Sequence, residues 1–408
     1  MPHILPDKAT RTDSSGVSPV VPEDKILGRN VVSLGWVAFF GGMSQDMIQP
    51  ILPIFYTSVL GLSKEFIGLI EGMLTTVASL MKIGAGYLSD RLGVRKALVF
   101  VGYAFSAVAR FGLGFAVSGS AVFGLRVTDG IGKGLKDAPR DALVAGSAGK
   151  QNLGFAFGVQ RTLDTLGSVA GPLIAYGLLR LWATHAHKYN EVFFTAGLIA
   201  ALPLLIIGLW VKERKQSITK QQISFKALRG PFAGFLVIMM LFTLGNSSDA
   251  FLILRANNVG ISPTTIPLII AFFNLVSALA AIPAGKISDR IGRRKTITIG
   301  WAVYFLVYLG FAFVKQSWLI WGLYGFYGLY YAFTEGSAKA MVAELVSEEN
   351  RGTAYGLYNA SVGVMALPAS LIAGIFWNRI SPAAPFAFGA MMAFIAFTGL
   401  WFIPIFRK

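Results

Sequence analysis

Between residues 121 and 145 an otherwise apolar stretch carries Arg126, Asp129, Lys133, Lys136, Asp137, Arg140 and Asp141. At about 100° per helical residue, these seven side chains fall within an arc of about 140° on one face. The next apolar stretch adds Arg161 and Asp164, three residues apart and so on one face as well. A charge near the centre of a bilayer costs at least ~2.5 kcal/mol even on the gentlest scale, so such residues turn toward a cavity or a partner. One chemistry that fits is a mixed-charge wall in which Arg126, Lys133 and Arg161 grip a solute while Asp129 and Asp164 pass protons. The other is a structural ion-pair network that only knits helices together, and it fits Asp129, Lys133 and Arg161 equally well. For Arg140 and Asp141, nearer the end of the stretch, the structural role leads.

Asp46 lies about halfway along the first apolar stretch and is followed by Gln49, Pro50 and Pro53. A carboxylate held in apolar surroundings suits a proton carrier working near neutral pH. The plainer alternative is a hydrogen-bonded acid that pins a proline-distorted helix. Asp249, nearer the outer end of the seventh stretch, is a further candidate for the cavity. In the tenth stretch Trp321, Tyr324, Tyr331 and Glu335 fall on one stripe, with Tyr327, Tyr330 and Lys339 beside it. Aromatics with a polar handle suit a cavity that holds organic molecules by ring contacts. An interfacial aromatic belt accounts for Trp318 and Trp321, and Glu335 can pair with Lys339 four residues on. Tyr327, Tyr331 and Glu335 remain as cavity candidates.

Other chemistries find little footing. There is no cysteine, which removes disulfides, thiolate metal sites and cysteine nucleophiles. His185 and His187 have no third ligand nearby, so no metal site is expected. No G-x-x-x-x-G-K-[ST] stretch exists, and Gly130-Ile-Gly132-Lys-Gly134 lies inside a helix pattern rather than after a strand. No cofactor and no enzymatic activity are expected.

The elements that must position these groups follow from composition. Of 408 residues 54% are hydrophobic and 14% charged, against roughly a quarter charged in soluble proteins. The apolar residues form twelve segments, at 31–58, 65–89, 96–117, 121–145, 153–182, 191–211, 230–255, 263–285, 296–314, 317–345, 352–377 and 383–405. Most reach twenty residues or more, enough to cross a bilayer core about 30 Å thick. The net charge of +16 is concentrated in alternate loops, which is a mark of membrane topology and argues against a nucleic-acid partner. That alternation places both termini in the cytoplasm. Residues 1–29, rich in Pro, Ser and mixed charge, are expected to be a disordered tail. Residues 212–229 form a polar linker between a bundle of residues 30–211 and a second of residues 230–408.

The chain also repeats itself. Gly86-Tyr-Leu-Ser-Asp90-Arg91-Leu-Gly93-Val-Arg95-Lys96 returns as Gly285-Lys-Ile-Ser-Asp289-Arg290-Ile-Gly292-Arg293-Arg294-Lys295, 199 residues on (289 minus 90), identical at seven of eleven positions. Gly154-Phe-Ala-Phe-Gly158 matches Gly352-Thr-Ala-Tyr-Gly356, and Ser44-Gln-Asp46 matches Ser247-Ser-Asp249, at nearly the same offset. Two matching halves with the same basic turn are a mark of an internally repeated transporter.

This turn resembles the signature loop of the major facilitator superfamily, with one departure at Val94, where that family often has arginine. The resemblance covers about residues 30 to 406. It implies an all-α membrane protein of twelve transmembrane helices, arranged as two pseudo-symmetric six-helix bundles around a central cavity. It also implies that Gly86, Asp90, Arg91, Gly93, Gly285, Asp289, Arg290 and Gly292 latch the cytoplasmic side when the transporter faces outward. Arg126-Val-Thr-Asp129-Gly130-Ile-Gly132 resembles the R-x-x-Q-G-x-G motif of proton-coupled exporters, with Asp129 in place of Gln. Gly167, Gly171 and Pro172 resemble the core of the antiporter motif, with Ala175 where a glycine is usual. Two glycines four apart also make a flat strip for close helix contact.

The expected function is secondary active transport of a small organic solute by alternating access, as proton-coupled export (antiport). Asp46, Asp129 and Asp164 are the proton-coupling candidates. Arg126, Lys133, Arg161, Asp249, Tyr327, Tyr331 and Glu335 are the substrate-cavity candidates. The alternatives are proton-coupled uptake of an anionic or zwitterionic nutrient and, from another class, a membrane-embedded sensor on the same scaffold. The expected setting is a monomer, multi-pass in a bacterial inner membrane, whose partners are the solute, protons and lipid.

Overall fold

Helices are the only extended regular elements among the residues that the computed structural model describes, namely 28–148, 152–185, 187–213, 230–347 and 350–402, less the Asp90 side chain. In chain order they are α1 (Arg29–Ile48), α2 (Leu52–Ile54), α3 (Lys64–Leu92), α4 (Arg95–Gly112), α5 (Gly119–Ser147), α6 (Leu153–Leu181) and α7 (Lys188–Trp210). The second half supplies α8 (Pro231–Gly245), α9 (Ala250–Asn258), α10 (Ile266–Ile291), α11 (Arg293–Phe313), α12 (Leu319–Leu345), α13 (Arg351–Arg379) and α14 (Ala384–Phe402). Nearly all of the expected tail and most of the expected linker lie outside the described residues.

Twelve spans emerge because two of them are broken. In the first, Pro50 and Pro53 cannot donate to the helical ladder, and the chain turns after Ile48 before resuming as α2 and a wide π turn over Phe55–Val59. In the seventh, the break falls at Asn246–Asp249, where Asn, Ser and Asp side chains compete with the backbone for its hydrogen bonds. Both breaks fall in the first span of their half, and discontinuous helices are where internally repeated transporters build their sites.

Eight spans are long and apolar enough to cross a membrane by length and composition, those beginning at Lys64, Arg95, Lys188, Pro231, Ile266, Arg293, Arg351 and Ala384. The other four long helices are α1, α5, α6 and α12. These carry Asp46, the α5 charges, Arg161 with Asp164, and Glu335 with Lys339.

Packing repeats along with the sequence. α1 lies against α6 and α7 as α8 lies against α13 and α14, and α4 lies against α5 and α7 as α11 lies against α12 and α14. The halves join chiefly through α3 with α13 and α6 with α10. The α3–α13 seam is made by glycines. A Cβ at Gly68 would lie 2.2 Å from the Ser370 carbonyl oxygen, one at Gly363 2.1 Å from the Ser79 Cβ, and one at Gly374 2.4 Å from the Lys64 carbonyl oxygen. Asn378 donates to the Glu65 carboxylate at the end of this seam, and α2 packs on α9 beside it.

These closures run from the middle of the spans to the ends away from Arg29 and Phe402. Toward the other face the halves part: nothing stands within 4 Å of a Cβ at Gly84, Gly154, Gly158 or Gly285, and Leu80, Leu88, Leu279 and Ile282 are exposed. The cavity is closed at one end and open at the end that carries the termini and both hinges. Each hinge turns on its second glycine, since Gly93 has φ +66° and Gly292 φ +90°, a conformation that side chains with a Cβ rarely adopt.

Candidate functional site

The first wall of the cavity is a buried ionic network that joins three helices. Asp129 on α5 faces three cations: Arg110 Nη2 on α4 donates to its Oδ1 at 3.3 Å, Arg126 Nη1 lies 3.4 Å from Oδ2, and Lys133 Nζ lies 3.8 Å from Oδ2. Arg126 turns its other amine to Glu71 on α3, donating to Oε2 at 2.8 Å and Oε1 at 3.0 Å. Tyr56 donates to Glu71 from the π turn at 3.3 Å. Arg110 also donates to Ser44 Oγ at 3.0 Å and to the Gly41 carbonyl at 3.2 Å, and the Ser44 hydroxyl in turn donates to the Ala196 carbonyl. Arg110 and Asp129 are each only 1% exposed.

Glycines allow these long side chains to meet, because Gly130 and Gly134 of α5 bring its backbone against Leu74 and Ala78 of α3, and Gly132 against Gly102 of α4. The network contains Arg110 and Glu71, which the sequence reading passed over. An ionisable residue well inside each of two apolar segments is the signal available for them. Arg126 and Asp129, three residues apart on one face, pair with each other, and Lys133 stays partly open to the cavity. A second, outer cluster links Lys82, Asp137, Arg140 and Asp141 at 3.3–4.0 Å.

Arg161 does not join the α5 charges. It lies 3.9 Å from Asp164 on its own helix and reaches Glu335 on α12, donating from Nη2 at 3.2 Å. Lys339 donates to the other Glu335 oxygen at 3.1 Å. Arg161 is two-thirds exposed, so this bridge spans the open cavity between the halves.

Asp46 stands on α1 where the halves touch. Asn274 of α10 donates to the Ser168 carbonyl of α6 at 2.7 Å and lies 3.5 Å from Asp46 Oδ2. Asp46 has no ion-pair partner among the described residues, and the charged groups that act on it from its surroundings are Asp164, Lys133 and Arg110. The glycine strip lies just behind it: a Cβ at Gly167 would meet the Phe39 carbonyl oxygen at 2.1 Å, and one at Gly171 the Met43 carbonyl oxygen at 2.2 Å. Gly167, Gly171 and the buried Pro172 therefore hold α6 flush against α1.

The second half presents tyrosines. Asp249 sits in the break between α8 and α9 and accepts a hydrogen bond from Tyr327 at 2.7 Å. Tyr327 is almost fully buried, so it supports Asp249 rather than lining open space, while Tyr331 beside it remains partly exposed. Tyr304 donates to the freed Gly245 carbonyl at 3.1 Å and to Asn246 Oδ1 at 3.3 Å.

The two hinges differ. Arg293 Nη1 donates to Asp289 at 2.5 Å and to Ser288 at 3.1 Å, and its Nε lies 3.4 Å from Glu344 on α12. At the equivalent places in the first half, 199 residues earlier, stand Val94 and Ala145. The first hinge is held instead through Lys96, whose backbone N–H donates to Glu213 at 2.8 Å and whose ammonium donates to the Gly208 carbonyl at 3.2 Å. Gly86 has only Ala138 near it, Arg91 and Arg290 are exposed, and the Asp90 side chain lies outside the described residues.

Comparison with known proteins agrees with this architecture. A relative from Methanocaldococcus jannaschii, an uncharacterized MFS-type transporter, is 38% identical over 393 residues, covering 93% of this chain and 96% of its own. A multi-drug resistance efflux pump PmrA homolog from Lactococcus lactis is 27% identical over 366 residues, covering 84% and 88%. The crystal structure of the nucleoside transporter NupG superposes with a TM-score of 0.74 at 14% identity, covering 93% of this chain and 99% of that one. The family model described as Major Facilitator Superfamily matches residues 34–254 and again 232–407. With the repeated hinge, the twelve spans and the cavity between two matching halves, the chain belongs to the major facilitator superfamily.

Proposed function

We propose that this transporter exports a small organic solute in exchange for protons, with both termini in the cytoplasm and Asp46 as the proton-carrying group. The observation that carries this reading is the setting of Asp46. It is an interior carboxylate with no ion-pair partner among the described residues, placed where α1, α6 and α10 meet across the halves. Asp129, gripped by three cations, serves instead as the anchor of the first half. Asp164, near Arg161, is the second group through which a proton passes. The likeness to an efflux pump homolog supports export over uptake.

In an exchange cycle, protonation of Asp46 removes the charge that draws the Asn274 amide, and the α6–α10 seam loosens. The first hinge then closes the terminal face over the Arg161–Glu335 bridge, which already joins α6 to α12. Gly86, Asp90, Arg91 and Gly93 with Gly285, Asp289, Arg290 and Gly292 are the latch in that state.

The test is flux in proteoliposomes under an imposed pH gradient, read with a panel of fluorescent organic solutes. The wild type is expected to move solute against a concentration gradient when the pH difference is present. Asp46→Asn is expected to retain exchange of solute for solute but lose at least tenfold of the gradient-driven rate. Gradient-driven flux that persists unchanged in Asp46→Asn removes proton coupling through this residue.

A further inference from the structure

α3 is pressed between two neighbours without slack. Toward α13, a Cβ at Gly72 would lie 2.8 Å from the Leu367 Cα, and Gly68, one turn earlier, meets Ser370 more closely still. Thr76 donates to the Gly363 carbonyl of α13 at 2.7 Å. Toward α5, a Cβ at Gly130 would lie 2.8 Å from the Leu74 carbonyl oxygen. Backbones this close fit at one roll angle of the helix between them, because packed interiors do not deform smoothly.

Glu71 is the group placed to fix that angle. It falls between Gly68 and Gly72 in sequence, and its side chain turns into the first half and is buried. Its oxygens Oε2 and Oε1 accept from Arg126 Nη2 on α5 at 2.8 and 3.0 Å, and Oε1 also accepts from the Tyr56 hydroxyl at 3.3 Å. Tyr56 is fully buried in the π turn that continues α2, and π turns inside helices recur at functional sites. α2 in turn packs on α9 of the second half. One carboxylate thus ties α3 both to α5 and to the outer piece of the first span, and each of these tied elements, α3 and α2, touches the other half.

Arg126 is the point at which the cavity reaches this clamp. Its second amine, Nη1, lies 3.4 Å from Asp129 Oδ2, and Lys133 Nζ lies 3.8 Å from the same oxygen. Two cations compete for one oxygen, and Lys133 is the one whose side chain is partly open to the cavity. A polar group of a solute that draws Lys133 aside leaves Oδ2 to Arg126, and the bonds from Arg126 to Glu71 weaken in exchange.

We infer that Glu71 is a positioning residue for the export cycle. It holds the face away from the termini shut by fixing the roll of α3, and that face is released when Arg126 turns from Glu71 to Asp129. The inference rests on the export reading and supplies the link from a loaded cavity to the opening of the far side. Coupling of this kind is measured by a mutant cycle.

Ala373→Cys, on α13 and 3% exposed, reports opening of that face through its rate of labelling by a hydrophilic maleimide in lipid nanodiscs. In this background Tyr56→Phe, which removes a single oxygen, is expected to raise the rate about fivefold, the worth of one buried hydrogen bond. Glu71→Gln is expected to raise it about tenfold or more, since bonds to a charged group are stronger. Lys133→Met, which leaves Oδ2 to Arg126, is expected to raise it about threefold, a coupling of the size that shared partners show. Most of that last effect is expected to vanish when Glu71→Gln is already present.

Unchanged labelling in Tyr56→Phe, which alters neither charge nor packing, overturns the inference. So does an effect of Lys133→Met that is equally large in Glu71→Gln, since the cavity then reaches the seam without the clamp. Labelling needs neither solute nor pH gradient, so the two readings fail separately. The expected labelling pattern in a protein without pH-driven flux sinks exchange and leaves the clamp, and unchanged labelling beside intact flux sinks the clamp alone.

Discussion

Asp129→Ala is expected to be the most damaging single change in the first half, lowering unfolding free energy by about 3–5 kcal/mol, the usual cost of stranding a buried charge. The reason is arithmetic of charge. Asp129 is the common counterion of Arg110, Arg126 and Lys133, at 3.3, 3.4 and 3.8 Å, and water reaches almost none of it. Removing it leaves Arg110 with only neutral acceptors, Ser44 and the Gly41 carbonyl. Arg126 keeps Glu71, so Glu71→Ala combined with Asp129→Ala is expected to exceed the sum of the two single effects.

Asp137→Ala is the control on the same helix. Its partners Lys82 and Arg140 lie 3.8 and 4.0 Å away, and its side chain is 34% exposed. Half-open pairs of this kind contribute about 0–1 kcal/mol. Thermal unfolding of both variants in one detergent, followed by intrinsic fluorescence, decides the matter. An Asp129→Ala protein as stable as Asp137→Ala would mean that the network contributes nothing and that its cations have other partners.

The second large effect is expected at the α3–α13 seam. Gly68→Ala places a methyl group 2.2 Å from the Ser370 carbonyl oxygen, nearer than any real contact, and that oxygen belongs to backbone that cannot swing aside. The face away from the termini then cannot close as it does here. The variant is expected to fold, to lose at least tenfold of its transport rate, and to favour the state open on that face. Gly177→Ala, on α6 with nothing within 4 Å, is the matched control. There alanine is a better helix former than glycine by about 1 kcal/mol, and transport is expected to be unaffected. Because the chain has no cysteine, a single introduced cysteine reports access without any background to remove. Labelling of Ala373→Cys, a position on α13 only 3% exposed here, by a membrane-impermeant maleimide is expected to rise several-fold in Gly68→Ala and to stay at the parent level in Gly177→Ala.

What the sequence made legible was local or repeated. Twelve apolar segments, the doubled hinge, the pairing of Arg126 with Asp129 and that of Glu335 with Lys339 all depend on neighbours within a helical turn or on a fixed offset. Asp46 and Asp249 stood out as repeat mates, although their different surroundings did not. Hidden from sequence was anything decided by which helix faces which. Arg126 finds Glu71 across 55 residues, and Arg110 finds Ser44 across 66. Arg161, expected beside the α5 charges, turns instead to Glu335, 174 residues away. α5 packs mainly on α3 and α4, leaving α6 to α1 and α10, and periodicity along one helix carries no record of that choice. Tyr327 shows the same limit. Its stripe was right, but the stripe is wide enough to hold both a buried support for Asp249 and a ring open to the cavity.

If the interior polar groups line a path open to one side at a time, the two faces of the molecule must move in opposition. Paired spin labels measure that movement, with Arg91→Cys and Arg290→Cys across the hinge face in one protein and Lys64→Cys and Arg379→Cys across the opposite face in another. Distances measured by pulsed dipolar spectroscopy between pH 5 and pH 8 are expected to show two populations for each pair. The hinge-face distance is expected to shorten under the conditions that lengthen the opposite one. A single fixed distance for both pairs under every condition, or two distances that grow and shrink together, would contradict alternating access.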